Sequence, residues 1–267
     1  MNTSAIIVAV VIVGIVGIVI GIILGIAGEK FEVEVDPKEE AVLDALPGNN
    51  CGACGFAGCS GLAAAIAKGE APVNACPVGG DPVAAVVGEI MGVAAGESAK
   101  MVAYVKCAGD CDSTSDLYQY NGIQDCRFAK QVVNGGPKSC SYGCMGFGTC
   151  ERECPFDAIH VINGIAVVDQ DACKSCEKCV KVCPQNIISM EQYKRPYIVQ
   201  CDSRAKGKEV MSACKVGCIS CHLCEKACEF DAVHVVDNIA YIDQDKCTGC
   251  GACAEKCPKK IIKHEIA

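Results

Sequence analysis

Eight cysteines recur in register along the second half of the chain. Cys140, Cys144, Cys150, Cys154, Cys173, Cys176, Cys179 and Cys183 return as Cys214, Cys218, Cys224, Cys228, Cys247, Cys250, Cys253 and Cys257, each 74 residues on (214 − 140 = 74; 257 − 183 = 74). The segments FDAIHV and DQD return as FDAVHV and DQD at the same offset. A duplication this strict makes the region an array of two like units.

The spacing carries the chemistry. Cys173-x2-Cys176-x2-Cys179-x3-Cys183-Pro184 and Cys247-x2-Cys250-x2-Cys253-x3-Cys257-Pro258 are bacterial ferredoxin runs. Three close thiolates hold one [4Fe–4S] cluster, and the fourth turns away to the other cluster of the pair. The proline fixes φ and ends helical continuation. Zinc sites favour well-separated CxxC pairs, and disulfides suit small secreted proteins; neither pattern is present. Each copy therefore predicts a two-cluster module, and the pair predicts four clusters.

With 25 cysteines, no tryptophan and only 6 phenylalanines in 267 residues, one large conventional core is not expected. Metal binding must supply folding free energy instead. An odd cysteine count excludes complete disulfide pairing, and so many thiolates imply a reducing, anaerobic setting. A net charge of −8 argues against nucleic acid as a partner.

The first half is organised differently. Ala5 to Gly28 carries no charge, and these 24 residues suffice to cross a bilayer of about 30 Å. No basic residue precedes them, so a retained anchor over residues 1–28 is expected rather than a cleaved leader. Gly14, Gly17, Gly21 and Gly25 offer a face for close helix packing. Residues 29–48 form an acidic connector with a short helix in PKEEAVLDAL. Residues 49–104 hold Cys51-x2-Cys54-x4-Cys59-x16-Cys76, a four-ligand set for a fifth [4Fe–4S] cluster. Glycines between the first three ligands allow tight turns, SGLAAAIAKGE reads as a helix, and 81–104 as a helix and a strand under this domain.

The order of anchor, NNCGACGFAGC…ACPVGG domain, GGPKSCSYGC and ferredoxin modules resembles the B subunit of Rnf complexes over nearly the whole chain. The resemblance implies an α+β, membrane-anchored electron-transfer subunit of an ion-translocating oxidoreductase. It further implies soluble ferredoxin as donor, other membrane and peripheral subunits as partners, and Na⁺ or H⁺ export. The bulk of the chain would lie on the cytoplasmic side of the cell membrane. The four-Cys domain alone also resembles the large subunit of corrinoid iron–sulfur proteins, but the residues a cobalamin domain would need are spent on ferredoxin modules. A non-redox cluster scaffold is the third reading.

Module 1 (140–190) departs from the usual pattern. Phe147 stands three residues after Cys144, where a ligand belongs, and Cys140 is the nearest replacement. The expected sets are Cys140, Cys144, Cys150 and Cys183, with Cys154, Cys173, Cys176 and Cys179 around the mate. Module 2 (214–267) keeps Cys221 at that position, giving Cys218, Cys221, Cys224 and Cys257, then Cys228, Cys247, Cys250 and Cys253. The connector 105–139 adds Cys107, Cys111 and Cys126, and VQC at Cys201 echoes VKC at Cys107. Two readings stay open: structural thiols, or a sixth cluster on Cys107, Cys111 and Cys126 with a fourth ligand from Cys201, Cys214 or Cys140. Five clusters are expected, six on the second reading. His160 and His234 lie on hairpins around Asn-Gly and Asp-Asn turns and read as structural. Residues 191–213 form a basic linker. No phosphate loop or nucleophile–base pair is present.

Overall fold

The structure is a computed structural model and describes residues 3–30, 36–96 and 99–264, with side chains of the first helix from 12 to 26. The ends of the expected anchor, part of the acidic connector (31–35) and the last three residues lie outside that description.

Helix α1, Thr3–Lys30, is continuous and apolar on every described face. Its described side chains, including Ile15, Val19, Ile22 and Ile26, are exposed. No helix among the described residues is long and apolar enough to cross a membrane.

Three short helices follow: α2 Pro37–Ala45, α3 Cys59–Ala67 and α4 Gly80–Met91. Asp36 caps α2, its Oδ1 accepting from the Lys38 amide at 2.9 Å, with Pro37 preset for the first turn. The three helices bury Val42, Leu62, Ile66 and Val87, with Cys54, Cys59 and Cys76 packed on the same small core.

The remainder is built twice from the same plan. In the first unit β1 Met101–Val105 pairs antiparallel with β4 Ile188–Gln192, and β2 Ile159–Ile162 with β3 Ile165–Val168. In the second, β5 Tyr197–Val199 pairs with β8 Ile262–His264, and β6 Val233–Val236 with β7 Ile239–Ile242. The expected hairpin turns form: Asn163 and Gly164 have φ of 47° and 76°, and Asp237 and Asn238 have 49° and 65°. Both central residues at positive φ match the right-handed twist of the strands.

This topology moves two expected boundaries. β1 lies in residues assigned above to the four-Cys domain, yet it pairs with the last strand of module 1. β5 lies in residues read as a linker, yet it closes module 2, together with the short helix Gly207–Ala213. Short strands with few alternating residues leave little local signal, so only the partner strand reveals the unit. The two edges are equivalent in detail: the Lys106 amide donates to Ile187 O at 2.8 Å, and the Gln200 amide to Ile261 O at 2.9 Å. The two arginines of the former linker are paired, Arg195 with Glu191 and Arg204 with Asp237 at 2.9 Å.

The cores of both units are rich in cysteine. In the first, Cys107, Cys144, Cys150, Cys173 and Cys179 are buried with Val102, Ile159 and Ile188. In the second, Cys201, Cys218, Cys224, Cys253 and Cys257 are buried with Val233, Ile242 and Ile262.

Candidate metal centres

The four-Cys domain holds site I. Cys51, Cys54 and Cys59 are spaced by Gly52, Gly55 and Gly58, whose φ values of 71°, 85° and 108° no bulkier residue adopts without strain. The Asn50 side chain accepts from the Cys59 amide at 2.8 Å, fixing the start of α3. Burial raises the Cys76 thiol above its usual range, the amides of Gly79 and Val78 oppose that, and charge on Cys59 and Cys54 adds to it.

At site II, Cys154, Cys173, Cys176 and Cys179 line one cavity with Phe156, Ile159 and Met190. Two backbone amides are aimed at its sulfurs: Ala158 N–H to Cys154 Sγ and Ala103 N–H to Cys173 Sγ, each at 3.4 Å. Burial pushes the Cys179 thiol up to about 12, with Cys173, Cys176 and Cys154 adding repulsion.

Site III corrects the sequence reading. The cavity holding Cys144, Cys150 and Cys183 is completed by Cys126, not Cys140. Burial pushes the Cys150 thiol up to about 12, and the charges that add to it come from Cys144, Cys126, Cys183 and Cys179. Cys126 opens a one-turn helix, α5 Cys126–Ala129, capped by Asp125. Its amide donates to the Thr149 hydroxyl at 2.8 Å, tying that turn to the helix that carries Cys150. Phe147, occupying the usual ligand position, stacks 5.2 Å from the Tyr120 ring in a small core with Cys126, Ala129 and Met145. The aromatic ring thus helps to hold the segment that supplies the missing sulfur.

At site IV, Cys218, Cys221, Cys224 and Cys257 surround one cavity. For site V, Cys247 and Cys250 raise the Cys253 thiol, after burial, to about 11. Cys228 packs on the same core and accepts the Ala232 amide at 3.4 Å.

The sixth set read from the connector does not form. Cys126 belongs to site III, and Cys111 is exposed beside the 163–164 turn. Cys107, Cys140, Cys201 and Cys214 instead line a cavity of about 240 Å³ between the two modules. The signal that could have found Cys126 was the vacancy at Phe147 combined with an upstream cysteine in no motif. Neither histidine joins a sulfur set: His160 Nδ1 lies 3.6 Å from Glu151 and His234 Nδ1 3.8 Å from Glu225.

The donor sets fit iron–sulfur clusters. All are cysteine, most are partly or wholly buried, and backbone N–H groups point at several of the sulfurs, as cluster sites require. Among the described residues no three His, Cys, Asp or Glu side chains converge as they would on a single metal ion.

Known proteins with similar sequences share that chemistry. A family described as "Putative Fe-S cluster" matches residues 46–78. Families described as "4Fe-4S binding domain" match 166–189 and 240–263, 144–158 and 216–231. The B subunit of the Na⁺-translocating ferredoxin:NAD⁺ oxidoreductase complex of Acetobacterium woodii is 47% identical over 98% of this chain and 79% of its own length. The B subunit of the ion-translocating oxidoreductase complex of Methanosarcina acetivorans is 40% identical over 98% of this chain and 99% of its own. The chain belongs to the Rnf B-subunit family. A third member, the B subunit of the proton-translocating ferredoxin:NAD⁺ oxidoreductase complex of Clostridium ljungdahlii, is 40% identical over 100% of this chain and 94% of its own. An Rnf B subunit with several 4Fe–4S binding domains is an electron-transfer component of a larger oxidoreductase complex.

Proposed function

We propose that this chain carries electrons from reduced soluble ferredoxin, taken up at module 2, to membrane partners beside α1, where their passage drives Na⁺ or H⁺ export. A bound [4Fe–4S] cluster supplies one-electron redox chemistry at each site. The ligands would be the four cysteines named for each of sites I to V. The chain's own work is to hold those sulfurs, exclude water and aim backbone dipoles at them, which sets the potentials.

The observation that carries this reading is the ordering of the sites. After burial, charge on Cys154 and on Cys51 of site I acts on Cys176 of site II. Charge on Cys179 of site II acts on Cys150 of site III. Site I is therefore a near neighbour of site II, and site II of site III, starting from the domain that follows α1.

We further infer that α1 is a single-pass anchor in the cytoplasmic membrane, with the cysteine-bearing domains on the cytoplasmic side. The reading rests on the 24 uncharged residues from Ala5 to Gly28. An apolar helix whose described side chains are exposed suits lipid and the helices of other subunits.

The experiment is anaerobic mixing of the loaded full-length chain with reduced ferredoxin, following loss of the cluster absorption. Fast bleaching, slowed by removing Cys247 and Cys250 together, supports module 2 as the entry. Absence of bleaching in the intact chain overturns the proposed donor.

A further inference from the structure

We propose that Cys107, Cys140, Cys201 and Cys214 hold a further [4Fe–4S] cluster shared between the two ferredoxin modules. Each module contributes two of the four. Cys107 and Cys201 follow the strands β1 and β5, which close their modules in the same way. Cys140 and Cys214 are equivalent by the 74-residue offset. The four positions are thus related by the same internal symmetry as the modules. A thiol buried merely as a small apolar side chain would have no reason to obey it.

The four sulfurs line one cavity. A methyl group at Gly109 would stand 3.4 Å from Cys214 Sγ and 3.7 Å from Cys107 Sγ. One at Gly143 would stand 3.5 Å from both Cys107 Sγ and Cys140 Sγ. Neither glycine has the positive φ that would explain it by backbone conformation. What these positions keep clear is the space at the sulfurs.

The surroundings are made for a negative group. Lys138 is buried, and its ammonium donates to the carbonyls of Gly109 at 3.2 Å and Gly164 at 2.8 Å. Both partners are neutral, and Lys138 lines the same cavity as the four cysteines. Amides are aimed here too: Cys144 N–H to Cys107 Sγ and Cys218 N–H to Cys201 Sγ, each at 3.4 Å.

The place matters as much as the fit. Cys144 belongs to site III and Cys218 to site IV, so the cavity adjoins one site of each module. Sites I to V use 20 cysteines and this set 4 more (20 + 4 = 24), leaving Cys111 alone of the 25.

The test does not depend on the electron donor. Full-length chain reconstituted anaerobically should carry about 24 Fe and about 24 acid-labile sulfide; the variant C140A/C214A should carry about four fewer of each. Cys111→Ser should lose none. Should the double variant fail to fold, Lys138→Met serves: in an EPR-monitored redox titration it should lower the midpoint of one cluster and leave the iron count unchanged. About 20 Fe in the intact chain, a full count in C140A/C214A, or unmoved midpoints in Lys138→Met would each overturn the proposal.

Discussion

The backbone amide of Cys144 donates to the sulfur of Cys107 at 3.4 Å, and that of Cys218 to Cys201 at the same distance. Each bond runs from a ferredoxin ligand to a cysteine outside every ferredoxin motif. Each module thus holds one such sulfur at the cavity between them, and the modules themselves are joined by backbone bonds: Lys215 N–H to Ser113 O at 2.8 Å and Ala108 N–H to Gln200 O at 3.0 Å.

Replacing Cys126 should empty or degrade site III alone. Cys126→Ser is expected to lose up to about four Fe per chain, with the other sites intact by EPR. Adding Phe147→Cys to that variant restores a sulfur at the position Cys221 occupies in module 2, so the iron count should recover. Cys140→Ser should leave site III unaffected.

How far this was legible in the sequence follows from the same residues. Regular spacings name ligands that are close along the chain, so sites I, II, IV and V could be read directly. Cys126 lies 18 residues before Cys144 (144 − 126 = 18) in no repeat, and only the fold brings it in. Cys107 and Cys201 are related by 94 residues rather than 74 (201 − 107 = 94), because the segment before the duplicated run differs in length between the copies. The VKC and VQC echo pointed to that relation, but the pairing of β1 with β4 was needed to establish it.

Asp125 should matter beyond its size. Its carboxylate accepts from the Arg127 amide at 2.8 Å and pairs with Arg127 at 2.9 Å and Arg152 at 3.3 Å. The hydrogen bond from Arg127 is the main reason its pKa sits well below the usual carboxylate range. A depressed folded pKa stabilises above the unfolded value, about 4, and is lost as pH falls below it. Asp125→Ala removes the cap of α5 and should cost about 1 kcal/mol. Anaerobic thermal melts at neutral pH should show it, and loss of the site III EPR signal should come first.

Gly146→Ala should be severe. The residue has φ of 77°, and a methyl group there would lie 2.5 Å from Gly164 O in the β2–β3 turn. The backbone term alone is about 1–2 kcal/mol, and the contact with a carbonyl adds to it. Gly69→Ala, with φ of 75° and open space around it, isolates the backbone term. Denaturant midpoints of the two variants should differ clearly.

Stripping the metal should expose the thiols' pH dependence. Burial pushes Cys150, Cys179 and Cys201 up to about 12 in the cluster-free chain. A raised folded pKa stabilises fully below the unfolded value, near 9, and that contribution disappears as pH rises through 12. Whatever structure survives chelation should therefore melt between about pH 9 and 12. The loaded chain, whose sulfurs are already thiolates, should not titrate in that window. Circular dichroism of both forms against pH checks this.

The most direct test of electron delivery uses the assembled complex with site I disabled by Cys51→Ser and Cys54→Ser. On rapid anaerobic mixing with reduced ferredoxin, the remaining sites of this chain should bleach as in the native complex, while the membrane partners stay oxidised. Reduction of those partners at the native rate would contradict the account.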